Sequence, residues 1–254
     1  MTMVNVEKLI GFYKKNNKVA LALSGGTDSA YLMYTAIQAG AEVSAYYAKS
    51  QFQPEFEQDD ARRLAGELGC RLVEIEVNVL ADDAIVSNQE NRCYLCKRMM
   101  FEAIVKAASA DGYDVIIDGT NASDNDDERP GMRAIRELRI LSPLRMCGIT
   151  KSEVRELSKA AGLWTWDKPS YACLATRIKT GERITADALD LIEKNEEIIR
   201  NLGYKDFRIR VNGDTARLEL RGEDLDRGLG DNDKEIIRSE LKKSYSIVLL
   251  TGEE

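Results

Sequence analysis

KVALALSGGTDSAYLMYTAIQAG, residues 18–40, is the stretch on which the fold turns. KVALAL is an apolar run of strand length, and the residues from Ser29 onward carry apolar side chains at helical spacing until Gly40 stops them. Between the two, SGGTDS places small residues where the backbone must bend tightly and bring its N–H groups close to an anion, with a helix N-terminus directly behind. No lysine follows the glycines, so this is not the longer phosphate loop that ends in GK[ST], and the spacing of the dinucleotide fingerprint is missing too. A capped glycine turn would use the same serine and aspartate. The order strand, loop, helix favours a phosphate site built from Ser24, Gly25, Gly26, Thr27, Asp28 and Ser29.

Outward from this loop the pattern repeats. EVSAYYA (42–48) and RLVEIEV (71–77) read as strands, 54–69 as a helix between them, 97–108 as a further helix and VIIDG (115–119) as the next strand. Strands alternating with helices of this length predict an α/β fold with an open parallel sheet, whose ligands bind at the carboxyl ends of the strands. DGTNASD (118–124) follows the last of these strands, which brings Asp118, Gly119, Thr120, Asn121 and Asp124 toward the same end of the sheet; a plain turn is the competing reading. After Pro169 the pattern changes to a helix near 185–202, FRIRV, ARLEL, a helix near 231–243 and SIVLL, a smaller α+β domain. The expected division is therefore 1–168 and 169–254, with a loop at 167–184 forming the seam.

The chain has 254 residues, 44% apolar and 31% charged, which is the composition of a globular protein and excludes wholesale disorder. A net charge of −7 disfavours broad capture of nucleic acid and favours a small-molecule substrate. No signal-peptide run or 18-residue apolar stretch occurs, so a cytoplasmic protein without membrane association is expected.

In a reducing cytoplasm the five cysteines, at 70, 93, 96, 147 and 173, point to metal or sulfur chemistry before disulfides. NRCYLCK gives Cys93 and Cys96 the C-x-x-C spacing that lets two thiolates reach one metal ion or cluster. A redox pair, a zinc site and two packed cysteines are the alternatives, and zinc is disfavoured because the chain has no histidine. Cys173 lies in the polar run WDKPSYACLATR (166–177), where no core pattern calls for a thiol. As a third thiolate it would complete a set able to hold a [4Fe-4S] cluster with one iron open. Cys70 and Cys147 fit no chemical motif and read as buried small residues.

The loop SGGTDS resembles the PP-loop signature of the N-type ATP pyrophosphatases, which cleave ATP between its α and β phosphates. With NRCYLCK (91–97), DGTNASD (118–124), RPGMRAIRELRILSPL (129–144), TKSEVRELSKAAGLWTWDKPSYACLATRI (150–178) and VNGDTARLEL (211–220), nearly the whole chain resembles the LarE-type sulfur transferases of nickel-pincer nucleotide biosynthesis. The WDKPSYACLATRI run is far more specific to that group than the PP-loop itself. The resemblance implies an adenine-nucleotide α-hydrolase-like fold and a loop that binds ATP, with Asp28 placing Mg²⁺. It implies adenylylation of a carboxylate on a pyridinium biscarboxylic acid mononucleotide, followed by replacement of the activated oxygen with sulfur. In one subgroup the cysteine at the position of Cys173 gives up its own sulfur and becomes dehydroalanine. Another carries the C-x-x-C as well and is able to build a cluster on Cys93, Cys96 and Cys173. All three cysteines are present here, which favours the cluster form. One departure is Asn212, a position that often holds histidine in the family.

Alternation in FRIRV puts Arg208 and Arg210 on one strand face, suited to the phosphate of a small nucleotide substrate; a solvated sheet face is the plainer alternative. Arg217 and Glu219 likewise fall opposite Leu218 and Leu220. Arg133 is a further candidate for substrate, although its spacing from Glu137 is also that of an ordinary helix ion pair. Glu196 and Glu197 could add a metal or polar contact, but a solvated helix surface is the favoured reading. A homo-oligomer is expected. A tRNA thiolase is the principal rival.

Overall fold

The computed structural model describes residues 2–124 and 131–252. In chain order its elements are α1 (Thr2–Lys15), β1 (Lys18–Ala22), α2 (Thr27–Gln38), β2 (Glu42–Lys49), α3 (Glu55–Glu67), β3 (Arg71–Glu76), the one-turn α4 (Asp83–Val86), α5 (Arg92–Ala110), β4 (Ile116–Ile117), α6 (Gly131–Glu137), the one-turn α7 (Pro143–Met146), α8 (Lys151–Ala160), α9 (Ala186–Asn201), β5 (Phe207–Asn212), β6 (Thr215–Leu220), α10 (Gly222–Arg227), α11 (Asp231–Leu241) and β7 (Ile247–Leu249). They form two compact units. The first comprises 1–50, 55–78 and 93–168, and the second 51–54, 79–92 and 169–254.

The first unit holds the open parallel sheet anticipated from the alternating pattern, in the order β3-β2-β1-β4. Successive crossovers carry the chain from β1 outward to β2 and β3, and it then returns to the other side of β1 as β4. The order therefore reverses between β1 and β4, and a crevice opens at the carboxyl ends of those two strands. β1 is buried along most of its length, with Val19, Ala20 and Leu21 fully inaccessible, and α2 covers it with Ala30, Leu32, Met33 and Ala36. The larger of these side chains, Val19, Leu21, Leu32 and Met33, contribute about 1.5–3 kcal/mol each, so the loop between β1 and α2 is anchored at both ends by buried segments.

Two elements differ from the sequence expectation. The helix expected at 97–108 starts at Arg92, so the C-x-x-C lies in its first turn. The start is set by tertiary contacts: the buried Arg92 donates from Nη1 to Asn88 Oδ1 and to the Ala175 carbonyl at 2.5 and 2.9 Å. The strand expected over 115–119 keeps only Ile116 and Ile117; Ile117 also makes an isolated parallel bridge to Leu141, with Asp118 N donating to the Leu141 carbonyl and Leu141 N to the Ile116 carbonyl, both at 2.9 Å.

The second unit is the smaller α+β body, a three-stranded sheet in the order β5-β6-β7. β5 and β6 form an antiparallel hairpin closed by Gly213 and Asp214, and β7 joins β6 in parallel. Gly213 has φ +54°, the left-handed conformation that such a two-residue turn needs. Ile209, Leu218, Ile199 and Leu241 build the core on one sheet face, leaving Arg208, Arg210, Arg217 and Glu219 on the other. Among the described residues no helix is long and apolar enough to cross a membrane.

Candidate functional site

Gly25 takes φ +70°, and a Cβ there would stand 3.1 Å from the Glu57 carbonyl, so both the backbone turn and the space require glycine. Gly26 is the N-cap of α2 and has no side-chain cap, which leaves the first N–H groups of the helix open to an anion. The loop's own hydroxyls brace it: Ser24 Oγ and Ser29 Oγ lie 3.1 Å apart, and Ser29 Oγ donates to the Gly26 carbonyl at 3.1 Å. Thr27 is buried and donates to the Thr165 carbonyl at 2.8 Å, so its hydroxyl serves the scaffold.

The loop after β4 closes directly on α2. A Cβ on Gly119 would lie 3.1 Å from Ser29 N and 3.2 Å from Asp28 Cβ, a contact only glycine allows without movement. Asn121 Nδ2 donates to Asp28 Oδ1 at 3.3 Å, and Lys151 Nζ, in the first turn of α8, lies 2.5 Å from Asp28 Oδ2. The Thr150–Glu153 capping box fixes the start of α8 and with it Lys151. Asp28 is thus a carboxylate at the switch point, held between an amide and an ammonium. Thr120 turns inward, donating to the buried Asp118 at 2.5 Å, while Ser142 donates to the other Asp118 oxygen at 2.6 Å. Burial pushes the Asp118 carboxyl above the usual carboxylate range even though both hydroxyls and Lys97 oppose the shift. Lys151 carried no signal in the sequence beyond the TKSE capping box that precedes α8.

Cys93 is exposed and Cys96 buried, three residues apart on α5 and so on one helix face. Arg133, on α6, pairs with Glu137 at 2.7 Å and stacks on the Tyr94 ring at 4.6 Å. Arg129 and Pro130, which open the RPGMRAIRELRILSPL run, lie outside the described residues. Cys147 is buried and Cys70 half-buried, and burial raises both thiols above their ordinary pKa.

In the second unit the half-buried Cys173 is the N-cap of a short turn at Leu174–Arg177. Its carbonyl accepts from Thr176 N at 3.0 Å, Thr176 Oγ1 at 2.8 Å and Arg177 Nη1 at 3.4 Å. Arg177 is fully buried and pairs with Glu196, Nε to Oε1 at 2.8 Å and Nη2 to Oε2 at 3.2 Å. This corrects the reading of Glu196 as a solvated helix surface: it is 1% exposed and also accepts from Tyr171 OH at 2.6 Å and Ile209 N at 3.1 Å. Burial weakens the guanidinium's hold on its proton, but Glu196 more than offsets this and the net shift of Arg177 is upward. Glu197 is exposed, as expected.

Arg208 and Arg210 do share a strand face, but they are engaged differently. Arg210 donates to Glu219 Oε2 at 3.1 Å and to the Thr176 carbonyl at 2.5 Å. Arg208 has no hydrogen-bond acceptor or ion-pair partner among the described residues, and its pKa is lowered by burial and by the charges of Arg221, Arg177 and Arg210. Beside Arg210 a cavity of about 450 Å³ is lined by Thr176, Lys179, Asn212, Arg217 and Glu219, among others. Asn212 is therefore a neutral wall of this cavity. Among the described residues no group of three or more His, Cys, Asp or Glu side chains is gathered in a form that could hold a metal ion.

Residues 14–199 match the family described as thiamine biosynthesis protein (ThiI). The pyridinium-3,5-bisthiocarboxylic acid mononucleotide synthase of Lactiplantibacillus plantarum is 31% identical over 214 residues, covering 84% of this chain and 78% of that protein. The chain belongs to the LarE-type PP-loop family. An uncharacterized Synechocystis protein, slr1717, is 36% identical to this LarE-type chain over 87% of its length and 82% of the relative's. The tRNA-specific 2-thiouridylase MnmA of Thermotoga petrophila is more distant, 25% identical over 76% of this chain and 68% of that protein.

Proposed function

We propose that the chain is an ATP-dependent sulfur transferase acting on a pyridinium biscarboxylic acid mononucleotide. The observation that carries this reading is the open N-terminus of α2, with Asp28 on its first turn, at the crevice between β1 and β4. Similarity to the Lactiplantibacillus synthase supplies the substrate class.

In this reading residues 1–168 activate and 169–254 carry sulfur transfer. The Ser24–Ser29 backbone, with Gly119, Thr120 and Asn121 shaping the opposite wall, receives the ATP phosphates. Asp28 would hold Mg²⁺, whose positive charge offsets that of the phosphates when bound. A substrate carboxylate oxygen attacks the α-phosphorus, the bond to the β-phosphate bridge breaks, and pyrophosphate leaves. The acyl adenylate then meets a sulfur nucleophile at its carbonyl carbon, and AMP departs with the former carboxylate oxygen, leaving a thiocarboxylate. Arg208 holds the substrate phosphate through its open guanidinium fork.

The donor chemistry of Cys93, Cys96 and Cys173 fits an iron-sulfur cluster, since three thiols are available and histidine is absent. Such a [4Fe-4S] cluster, when bound, would supply an open iron to carry a transferable sulfide. In a second reading no cluster is used and the Cys173 sulfur attacks directly. Its Cβ–S bond then breaks as a base takes the Cα proton, leaving dehydroalanine at 173.

The test is anaerobic reconstitution followed by iron and sulfide analysis, turnover with the mononucleotide, ATP and Mg²⁺, and mass spectrometry of the recovered chain. About four irons per chain and repeated turnover with sulfide support the cluster form. One product per chain with loss of H₂S mass at Cys173 supports the sacrificial form. Formation of ADP and phosphate, or thiolation of tRNA in place of the mononucleotide, overturns the proposal.

A further inference from the structure

Lys168 lies 143 residues from Gly25 in sequence, yet its Nζ donates to the Gly25 carbonyl at 3.0 Å. The same ammonium pairs with Asp60 Oδ2 on α3 at 2.5 Å and lies 5.7 Å from the Phe56 ring centroid. Its side chain is 12% exposed and that of Asp60 25%. The lysine is itself positioned from behind: Arg155 on α8 donates to the carbonyls of Trp166 and Lys168 at 2.7 and 2.8 Å.

The carbonyl this lysine grips belongs to the one peptide in the loop flanked by glycine on both sides, Gly25–Gly26. Glycine tolerates φ of either sign, so rotation of that peptide plane meets little intrinsic resistance. In a trans peptide the N–H points opposite to the C=O. With the Gly25 carbonyl held by Lys168, the Gly26 N–H faces the other way, where its contact is Ser24 Oγ at 3.4 Å. Rotating the plane would aim an oxygen, not a hydrogen, at an incoming phosphate.

We propose that Lys168 and Asp60 form a latch that holds the Gly25–Gly26 peptide in its phosphate-accepting orientation, making Lys168 a positioning residue for ATP. This rests on the reading of Ser24–Ser29 as the phosphate loop. Asp60 keeps the ammonium turned to the carbonyl; without it Lys168 would be drawn toward the phosphates as an ordinary cation.

The experiment measures binding of Mg²⁺-pyrophosphate, Mg²⁺-ATP and adenosine by calorimetry to wild type, Lys168→Met, Lys168→Arg and Asp60→Asn, with KM and kcat for ATP. Lys168→Met should weaken pyrophosphate and ATP about tenfold, the size of one charge-assisted hydrogen bond, and leave adenosine unchanged. KM should rise by the same factor while kcat at saturating ATP holds. Lys168→Arg, which keeps a donor for both partners, should restore most of the affinity. Asp60→Asn decides between a latch and a direct phosphate contact: the latch requires weaker pyrophosphate binding, and unchanged or tighter binding overturns it. Equal loss of adenosine and pyrophosphate affinity in Lys168→Met also overturns it, since that marks general damage. If wild type binds neither pyrophosphate nor ATP, the phosphate-loop reading falls, and the latch with it.

Discussion

Replacing Glu196 with glutamine should destabilise the second unit by about 3–5 kcal/mol, the range for removing one member of a buried ion pair. The structure places the change at the severe end of single substitutions. Two carboxylate oxygens receive four donors, from Arg177 Nε and Nη2, Tyr171 OH and Ile209 N, at 2.6–3.2 Å. A glutamine amide offers one oxygen in place of two, turns an NH₂ toward groups that also donate, and leaves the inaccessible Arg177 charge without a counter-charge. With a urea slope near 2 kcal/mol per molar, the midpoint should fall by about 2 M. Glu137→Gln is the control: its pair with Arg133 is 40% and 66% exposed, and such pairs contribute less than about 1 kcal/mol. Both tryptophans, Trp164 and Trp166, belong to the first unit, so their fluorescence follows that unit while far-UV circular dichroism follows both. A double change to Arg177→Met and Glu196→Met should regain much of the loss, because apolar groups of similar volume remove the need for compensation. A Glu196→Gln midpoint within about 0.3 M of wild type, or a double variant no more stable than the single one, would refute the argument.

Asp118 has a folded pKa raised by burial, so its contribution to stability is present below the unfolded value and lost as pH rises through the folded one. Asp118→Asn should therefore gain stability relative to wild type as pH increases from 4 toward 8, and a flat difference across thermal melts would count against the assignment. Lys151→Met removes the ammonium beside Asp28 and should lower ATP-dependent turnover about 100-fold with little change in melting temperature; wild-type turnover would exclude Lys151 from the site. Arg208→Gln should weaken the phosphorylated substrate about tenfold and more than Arg210→Gln does, because the Arg210 fork is already occupied by Glu219 and Thr176; the reverse ranking would reassign the phosphate contact.

What was legible in the sequence was local. The SGGTDS loop needed only its neighbours in the chain to declare a strand, a tight turn and a helix, and the alternation in FRIRV and ARLEL assigned both faces of the hairpin. Glu196 was misread because charge was allowed to outweigh spacing: it follows Ile192 by four residues and precedes Ile199 by three, on the buried face of α9. Its partner Arg177 comes from an irregular turn, where periodicity gives no guidance. The Arg210–Glu219 pair could have been found from the hairpin register, which sets Arg210 opposite Arg217 and Glu219 diagonal to it. Lys151 and Lys168 were beyond reach, since their partners Asp28 and Asp60 lie 123 and 108 residues away.

The interleaved make-up of the second unit has a consequence for synthesis. Asn88 donates to the Lys179 carbonyl 91 residues later in the chain, Arg92 to Ala175, and Leu174 closes back on Phe52. At roughly 5–20 residues per second the ribosome leaves residues 51–54 and 79–92 without these partners for about 5–20 s. In that interval the sheet of the first unit can assemble around two stretches that have nowhere to pack, their polar groups Asn88 and Arg92 still in water. A nascent chain stalled near residue 168 should thus present a finished first unit with two protease-sensitive stretches. A separately expressed 169–254 fragment would lack the pieces that seal the Cys173 turn, so the second unit can be neither made first nor inherited alone.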